Sequence, residues 1–193
     1  MKGTNKSIRI QGKLISKPSS NSKPCVFLSH KKEDKQACKV IGKYLTSAGI
    51  DIFLDEYDKQ LQNAVASGNA RLIVSRIKEA IDYSTHMLVV ISLKTYQSQW
   101  VPFEMGYGHS ELIDDSKSDG LILNLSLLTL KDIVNHKLPE FMKIAHKIEG
   151  IKGLNKYICS LIRQPEQTLI SKNLISSHSD IVHPLNNVLD WQL

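Results

Sequence analysis

Short apolar runs separated by polar segments recur along the chain from residue 25 onward. Apolar runs of this length are typical of strands that are covered on both faces of a sheet. They predict strands at residues 25–28, 50–54, 85–91 and 121–127, and a weaker run predicts a short fifth strand near residues 147–149.

Between these runs, apolar residues recur at helical spacing. One stripe at i, i+3, i+4, i+7, i+8 and i+11 predicts an amphipathic helix; it consists of Ala37, Val40, Ile41, Tyr44, Leu45 and Ala48. Similar spacing predicts helices over residues 73–81 and 151–162, and Ser98 is a candidate N-cap for another helix. Because strands and helices alternate, the pattern predicts a parallel sheet with helices on both faces.

Two segments lack this periodicity. Residues 55–68 form a polar stretch that is longer than most connections, which favours a functional loop. From Gln164 onward the pattern fits either a tail or a packed extension. The sequence therefore predicts a domain over residues 24–163, preceded by a leader at 1–23 and followed by an extension or tail at 164–193.

The charge is concentrated in the leader. The chain has 193 residues, with 25 Lys and Arg against 19 Asp and Glu. Six of the basic residues and no acidic residue lie in residues 1–23, so the remainder is balanced at 19 against 19. A basic arm can contact phosphates, but its Ser, Lys and Asn content favours a solvated, disordered leader. Nucleic acid is therefore not an expected partner.

Cysteine content and hydropathy limit the classes of protein further. The three cysteines form no C-x-x-C pair, which argues against a zinc site or a disulfide framework and favours a reducing, cytoplasmic location. The longest apolar runs are too short to cross a membrane, and the first residues lack the continuous apolar segment of a secretory signal. We therefore expect no membrane partner.

The predicted topology indicates where a ligand would bind. In open parallel sheets, ligands lie outside the carboxyl ends of the strands, where the strand order reverses. For a flavodoxin-like order, that point lies between strands one and three, next to residues 29–34 and the segment from Ser92 onward. The first segment offers a hydroxyl, an imidazole and lysines at a strand-to-helix turn, where backbone N–H groups can help to hold a phosphate. An ordinary helix start, with Asp34 near the N-cap and the lysines in water, remains the alternative.

The second segment contains an aromatic residue and a carboxylate on one helix face. Trp100 and Glu104 are i, i+4 neighbours, and Tyr107 continues that face. The indole could stack on a base or nicotinamide ring, and the carboxylate could hold ribose hydroxyls or stabilise positive charge on a sugar. From spacing alone, a core tryptophan beside a solvated glutamate is the alternative.

Together these segments resemble bacterial TIR (Toll/interleukin-1 receptor) domains over about residues 24–163. Residues 26–30 with Asp34 resemble the first strand and loop of that family, and residues 52–55 resemble the second strand leading into its BB loop. Residues 84–92 and 98–104 resemble the third strand and third helix. The resemblance implies a flavodoxin-like α/β fold with a five-stranded parallel sheet in the order 2-1-3-4-5.

The resemblance also implies an activity. Many bacterial and plant members of this family cleave NAD+ at the nicotinamide–ribose bond, using a glutamate that bacterial members often place in a W-x-x-x-E arrangement. Trp100 and Glu104 match that arrangement, which implies that Glu104 is the catalytic carboxylate. NAD+ is then the substrate, and no separate cofactor or metal is expected. The residues implied to line the substrate are Trp100, Ser29, His30, Lys31, Asp34 and Tyr107.

The resemblance further implies partners. A standalone TIR domain of this size is similar to the signal-producing subunit of anti-phage systems such as Thoeris, whose ADP-ribose or cyclic product would be read by a separate effector. Active TIR domains usually form homo-oligomers through TIR–TIR contacts, and the implied assembly loop contains Asp55, Glu56, Tyr57 and Asp58. Two alternatives stay open: a non-catalytic TIR scaffold, and an enzyme similar to nucleoside deoxyribosyltransferases.

Overall fold

A five-stranded parallel sheet forms the centre of the protein. The computed structural model describes residues 2–8, 23–55, 58–113, 124–133, 138–177 and 182–191. Within them the strand order is β2-β1-β3-β4-β5 and every neighbouring pair is parallel, which confirms the predicted fold class. The strands are β1 (Cys25–Ser29), β2 (Asp51–Phe53), β3 (His86–Ile91), β4 (Leu125–Thr129) and β5 (His146–Glu149).

Helices cover both faces of this sheet, as predicted. They are α1 (Lys35–Ser47), α2 (Lys59–Ala66), α3 (Ala70–Asp82), α4 (Trp100–Leu112), α5 (Gly150–Ile162) and α6 (Glu166–Ser171). One apolar core lies between the sheet and α1, α5 and α6. A second core lies between the opposite face and α2, α3 and α4. The strands contribute to both cores, which explains why their sequences are apolar without alternation.

The prediction of a long loop over residues 55–68 is wrong, because this segment contains α2. The Asp58 side chain caps the helix by accepting hydrogen bonds from the backbone N–H groups of Gln60 and Leu61. Leu61 and Ala64 are the buried residues of this helix. Two buried positions in two turns give too narrow a stripe for apolar periodicity to reveal the helix.

The fourth strand lies later than predicted. The apolar run predicted residues 121–127, whereas β4 spans Leu125–Thr129 and residues 121–123 lie outside the described residues. β4 lies between β3 and β5, so polar residues of the strand such as Ser126 are buried together with the apolar ones. An apolar run cannot mark the end of a strand that continues into buried polar residues.

The described part of the C-terminal segment packs on the domain. Leu169, Ile175, Leu185 and Leu189 are buried in the same core as α1 and α5. His183 is also buried, and the centre of its ring lies 5.2 Å from that of Tyr44.

A buried polar network accompanies this packing. The Tyr44 hydroxyl donates to Asn155 Oδ1 at 2.8 Å and accepts from the Ser176 backbone N–H at 2.9 Å. The network ties α1 to α5 and to the C-terminal segment, so neutral hydrogen-bonding groups help to fix the segment in place.

The beginning of the predicted leader is also bound to the domain. The Gly3 N–H donates to the carbonyl of Thr46 at 2.8 Å, and the Ile52 N–H donates to the carbonyl of Thr4 at 3.0 Å. β2 is an edge strand, and the bond to Thr4 satisfies an outward backbone N–H group of this strand. Residues 2–8 thus differ from the expected disordered leader, whereas residues 9–22 lie outside the described residues.

Within the described part of the chain, no helix combines the length and the apolar character that membrane crossing requires.

Candidate active site

The carboxyl ends of β1 and β3 bring together the two segments that the topology selected. The strands are parallel neighbours, with Leu28 opposite Leu88 and Ser29 opposite Val89. Ser92 directly follows β3, and a 3₁₀ turn over Leu93–Gln97 then leads to α4. Both connections therefore begin at the same edge of the sheet, at the point where the strand order reverses.

Glu104 is the central residue of this site. It lies in the second turn of α4 and is 7% exposed, so the alternative of a solvated glutamate is wrong. The buried Ser29 hydroxyl donates a hydrogen bond to Glu104 Oε2 at 2.5 Å. The last residue of β1 and a carboxyl group from α4 thus meet inside the domain.

The surroundings of Glu104 disfavour its negative charge. Burial raises the pKa of this carboxyl group to about 8, against a smaller lowering by the Ser29 hydrogen bond, and the negative charge of Asp55 raises it further. A positive charge placed beside Glu104 would reverse this balance and favour the carboxylate. The site is therefore suited electrostatically to a cationic ligand.

A second buried carboxyl group lies at the same edge. Ser92 Oγ donates to Asp34 Oδ2 at 2.5 Å, and both residues are buried. Asp34 occupies the N-cap position of α1, as the alternative interpretation expected, but its side chain makes no capping hydrogen bond. Its carboxyl group instead links the β1–α1 connection to the β3–α4 connection.

His30 and Lys31 lie in the β1–α1 connection. His30 Nδ1 is 3.2 Å from the carbonyl oxygen of Leu28, which assigns the proton of the neutral ring to Nδ1. Its Nε2 lies 4.0 Å from Asp55 Oδ1. Lys31 Nζ contacts Gln97 Oε1 at 3.5 Å and Glu33 Oε1 at 3.6 Å, so this ammonium group spans the two connections near the protein surface.

Trp100 begins α4 and is not a core residue. Its side chain is 41% exposed and meets Phe103 edge-on, with ring centroids 6.1 Å apart. The alternative of a core tryptophan is therefore wrong. An exposed indole one helical turn before Glu104 is accessible to a planar ligand.

Tyr107 is held against α3 and is not directed to Ser29 or Asp34. Its hydroxyl donates to Asp82 Oδ1 at 2.9 Å, and Lys78 Nζ lies 4.7 Å from the centre of its ring. Helical spacing could not show that α3 supplies the partner of the Tyr107 hydroxyl. That hydroxyl is thus bonded to α3 and not to Ser29 or Asp34.

A comparison with known protein families identifies the domain. The sequence profile described as TIR domain matches residues 26–132, which is more than half of the chain. The chain belongs to the TIR domain family. The match includes β1 to β4, Ser29, Ser92 and Glu104, and it favours the TIR interpretation over a deoxyribosyltransferase. No match was found among the curated proteins.

The residues of the predicted assembly loop of this TIR domain lie in different environments. Asp55 is 44% exposed on its side chain, whereas Glu56 and Tyr57 lie outside the described residues. Asp58 is buried, and its Oδ2 accepts hydrogen bonds from Arg76 Nη2 at 2.6 Å and Nε at 3.1 Å. Asp58 is thus a structural residue that fixes α2 to α3, and the expectation that it lies on an assembly surface is wrong.

The sequence placed Ser92 at the start of the second segment but did not reveal its role in the TIR site. Its hydroxyl accepts from the Lys94 N–H at 3.1 Å, and its own N–H donates to Thr95 Oγ1 at 2.9 Å. A serine followed three residues later by threonine resembles a capping motif and could have marked the turn. Its bond to Asp34, 58 residues earlier, has no local signal in the sequence.

The described residues of the TIR domain contain no group of three or more His, Cys, Asp or Glu residues that could hold a metal ion. The groups that act on the Glu104 carboxyl group are the Ser29 hydroxyl at the end of β1 and the charge of Asp55, which lies just after β2. This set can position and charge-stabilise an organic cation.

Proposed function

We propose that this TIR domain cleaves the nicotinamide–ribose bond of NAD+, with Glu104 as the catalytic carboxylate. The observation that supports the proposal is the buried Glu104 carboxyl group, held by Ser29 at the carboxyl end of β1. The product of this reaction would be ADP-ribose or a cyclic ADP-ribose-type nucleotide. It would serve as a signal in anti-phage defence that a separate effector binds.

The chemistry makes a simple demand on the protein. The bond between ribose C1′ and the pyridinium nitrogen breaks, and its electron pair leaves with nicotinamide, which becomes neutral. No general acid is needed for this leaving group, because the positive charge moves to the ribose as an oxocarbenium ion. A fixed carboxylate beside that sugar stabilises the charge more in the transition state than water would.

The high pKa of Glu104 is compatible with this role. Burial keeps the free carboxyl group largely protonated below pH 8. The cationic nicotinamide ring of NAD+ would favour the ionised form on binding, because an opposite charge lowers a carboxyl pKa. The proposal therefore predicts that kcat/KM rises with pH toward about 8.

The other residues are assigned by position. Exposed Trp100 would pack on the ribose or a base, His30 would line the nicotinamide side, and Lys31 would reach the diphosphate. Water or a hydroxyl group of the substrate would attack ribose C1′ and lose a proton. The choice of attacking group decides between a linear and a cyclic product.

The decisive experiment compares two glutamates of α4. The full chain, Glu104→Gln and the matched control Glu111→Gln are incubated with NAD+, and nicotinamide and nucleotide products are resolved by mass spectrometry. Loss of the charge at Glu104 is expected to slow release by at least about 100-fold. Glu111, two turns further along the same helix, should change the rate less than about twofold. Full release by Glu104→Gln would contradict the proposal.

A non-catalytic scaffold that acts through TIR–TIR contacts is the second candidate. Val65 of α2 is 58% exposed, and Leu72 of α3 is also exposed, so this face offers apolar side chains to a partner. Homo-oligomers measured by light scattering should weaken in Val65→Asp. A chain that binds itself but releases no nicotinamide even when tethered at high local concentration would favour this candidate over the enzyme.

A further inference from the structure

Two buried hydrogen bonds connect the segments that form the site, and they run in opposite directions. Ser29 of the β1 end donates to Glu104 of α4, whereas Ser92 of the β3 end donates to Asp34 at the start of α1. Each segment therefore supplies one hydroxyl group and one carboxyl group. The two donor–acceptor distances are both 2.5 Å.

Substrate binding would affect these two hydrogen bonds differently. A ribose that hydrogen-bonds to Glu104 competes directly with Ser29 for the same carboxyl oxygens. The Asp34 carboxyl group is one partner of a bond whose other partner, Ser92, is also fixed by Lys94 and Thr95. This second bond can therefore persist while the first is exchanged.

The local structure of Asp34 shows that its carboxyl group bonds to Ser92 and does not cap α1. Asp is a favoured N-cap residue, and a capping bond typically stabilises a helix by about 1 kcal/mol. Asp34 occupies the N-cap position of α1, but its carboxyl group accepts no hydrogen bond from the backbone N–H groups at that helix end. Its carboxyl group bonds to Ser92 on the neighbouring connection instead.

We propose that Asp34 and Ser92 are positioning residues that hold the β1–α1 and β3–α4 connections together while Glu104 exchanges Ser29 for the substrate. This inference rests on the proposed function of Glu104. It replaces the expectation that Asp34 binds the substrate directly. The pair acts on the reaction through the placement of Ser29 and Glu104.

The kinetic test separates positioning from binding. Asp34→Ala removes the link, and misplacement of a reacting group typically lowers turnover by one to two orders of magnitude. We expect kcat for nicotinamide release to fall about tenfold or more, with KM changed less than about threefold. Asp34→Asn keeps an acceptor oxygen for Ser92 and should recover most of kcat. A direct contact between Asp34 and substrate would instead raise KM in both variants, which would overturn the proposal.

A control variant excludes a general effect of lost buried hydrogen bonds. Tyr44→Phe removes a buried hydroxyl group on the opposite face of the sheet. It should keep kcat within about threefold of the unchanged protein. An equal loss in this control and in Asp34→Ala would overturn the proposal.

A titration of Glu104 tests the positioning role without a measurement of turnover. The Ser29 bond lowers the pKa of Glu104, so displacement of Ser29 should raise it. Carboxyl ¹³C NMR of the full chain should show a higher Glu104 pKa in Ser92→Ala and in Asp34→Ala, and an unchanged value in Tyr44→Phe. An unchanged value in both Ser92→Ala and Asp34→Ala would overturn the positioning role. Failure of Glu104→Gln to slow nicotinamide release would contradict only the proposed function.

Discussion

Two buried carboxyl groups lie toward opposite ends of the parallel strands and have opposite electrostatic surroundings. Asp51 begins β2 and is paired with Lys6 Nζ at 2.9 Å and Lys23 Nζ at 2.7 Å. Burial alone would raise its pKa, but the hydrogen bonds from these lysines outweigh burial and lower it. Glu104 has a hydroxyl partner in Ser29 and a like charge in Asp55, and its pKa is raised.

The difference separates a structural carboxylate from one that is available to a ligand. Asp51 is stabilised as an anion by residues of the chain itself, so its charge is satisfied in the folded protein. Glu104 is buried at a cost to its charged form, and a cation brought by a ligand would remove that cost. Perturbed carboxyl groups of this second kind are typical of functional sites.

The largest expected effect is on the pH dependence of stability at Glu104. Because its pKa is about 8 in the folded protein against 4.5 for an ordinary glutamate, folding favours the protonated form. The free energy of unfolding should therefore decrease by about 3–5 kcal/mol from this group as pH rises from 4.5 to 8. Glu104→Gln should gain stability relative to the unchanged chain over that window, as measured by urea denaturation at pH 5 and pH 8.5.

Glu111→Gln, which removes a carboxyl group from the same helix, is the control for this measurement. A Glu104→Gln variant whose relative stability does not change between pH 5 and pH 8.5 would remove the contrast with Asp51.

A smaller effect of opposite sign is expected at Asp51. Its lowered pKa means that the carboxylate stabilises the fold above its unfolded pKa and that this contribution is lost as pH falls through the folded value. Asp51→Asn should destabilise the protein by about 1–3 kcal/mol at pH 7, because the charge-assisted bonds from two lysines and the Thr4 N–H are weakened. The loss measured by urea denaturation should shrink toward pH 3.

The rate of nicotinamide release should keep its pH profile in Asp51→Asn, since Asp51 lies at the amino end of the strands and Glu104 at the carboxyl end of β1. A shift of that profile equal to the shift in a site variant would show that the two carboxyl groups are coupled.

The smallest expected effects come from the two lysines and should be unequal. The Lys6 side chain is 20% exposed and that of Lys23 is 41% exposed, so water screens the second ion pair more. Lys6→Met should lower the free energy of unfolding by about 1 kcal/mol, and Lys23→Met by about 0.5 kcal/mol or less. Thermal unfolding at low and at 0.5 M salt should show the larger salt effect for Lys23; equal losses would contradict this ranking.

The fold was predictable because its main signals are local. The apolar runs of β1 and β3 and the stripe of α1 each identify an element within a few residues of its observed bounds. The sequence pattern did not predict α2, because only two of its residues are buried. Asp58 before α2 and Asn69 before α3 are N-cap residues, and they could have marked where both helices begin. The packing of residues 2–8 was not predicted because their backbone hydrogen bonds and the Lys6–Asp51 ion pair join residues that are distant in sequence.

The site was predictable only in part. Helical spacing and the family resemblance led to Glu104, and the switch point of the sheet led to Ser29. The spacing could not show that Ser29 donates to Glu104, that Asp34 bonds to Ser92, or that Asp82 takes the Tyr107 hydroxyl. Each of these contacts joins residues distant in sequence and depends on how the helices pack against the sheet.

The contact of residues 3–5 with β2 has a consequence for solubility. An uncovered edge strand offers free N–H and C=O groups on which the strand of another chain can form, which leads to aggregation. Gly3 allows the close approach that prevents this, because a Cβ atom there would lie 1.8 Å from the carbonyl oxygen of Ile50. Removing the first eight residues would leave the N–H of Ile52 without its bond to Thr4. The edge strand β2 would then be open to pairing with another chain.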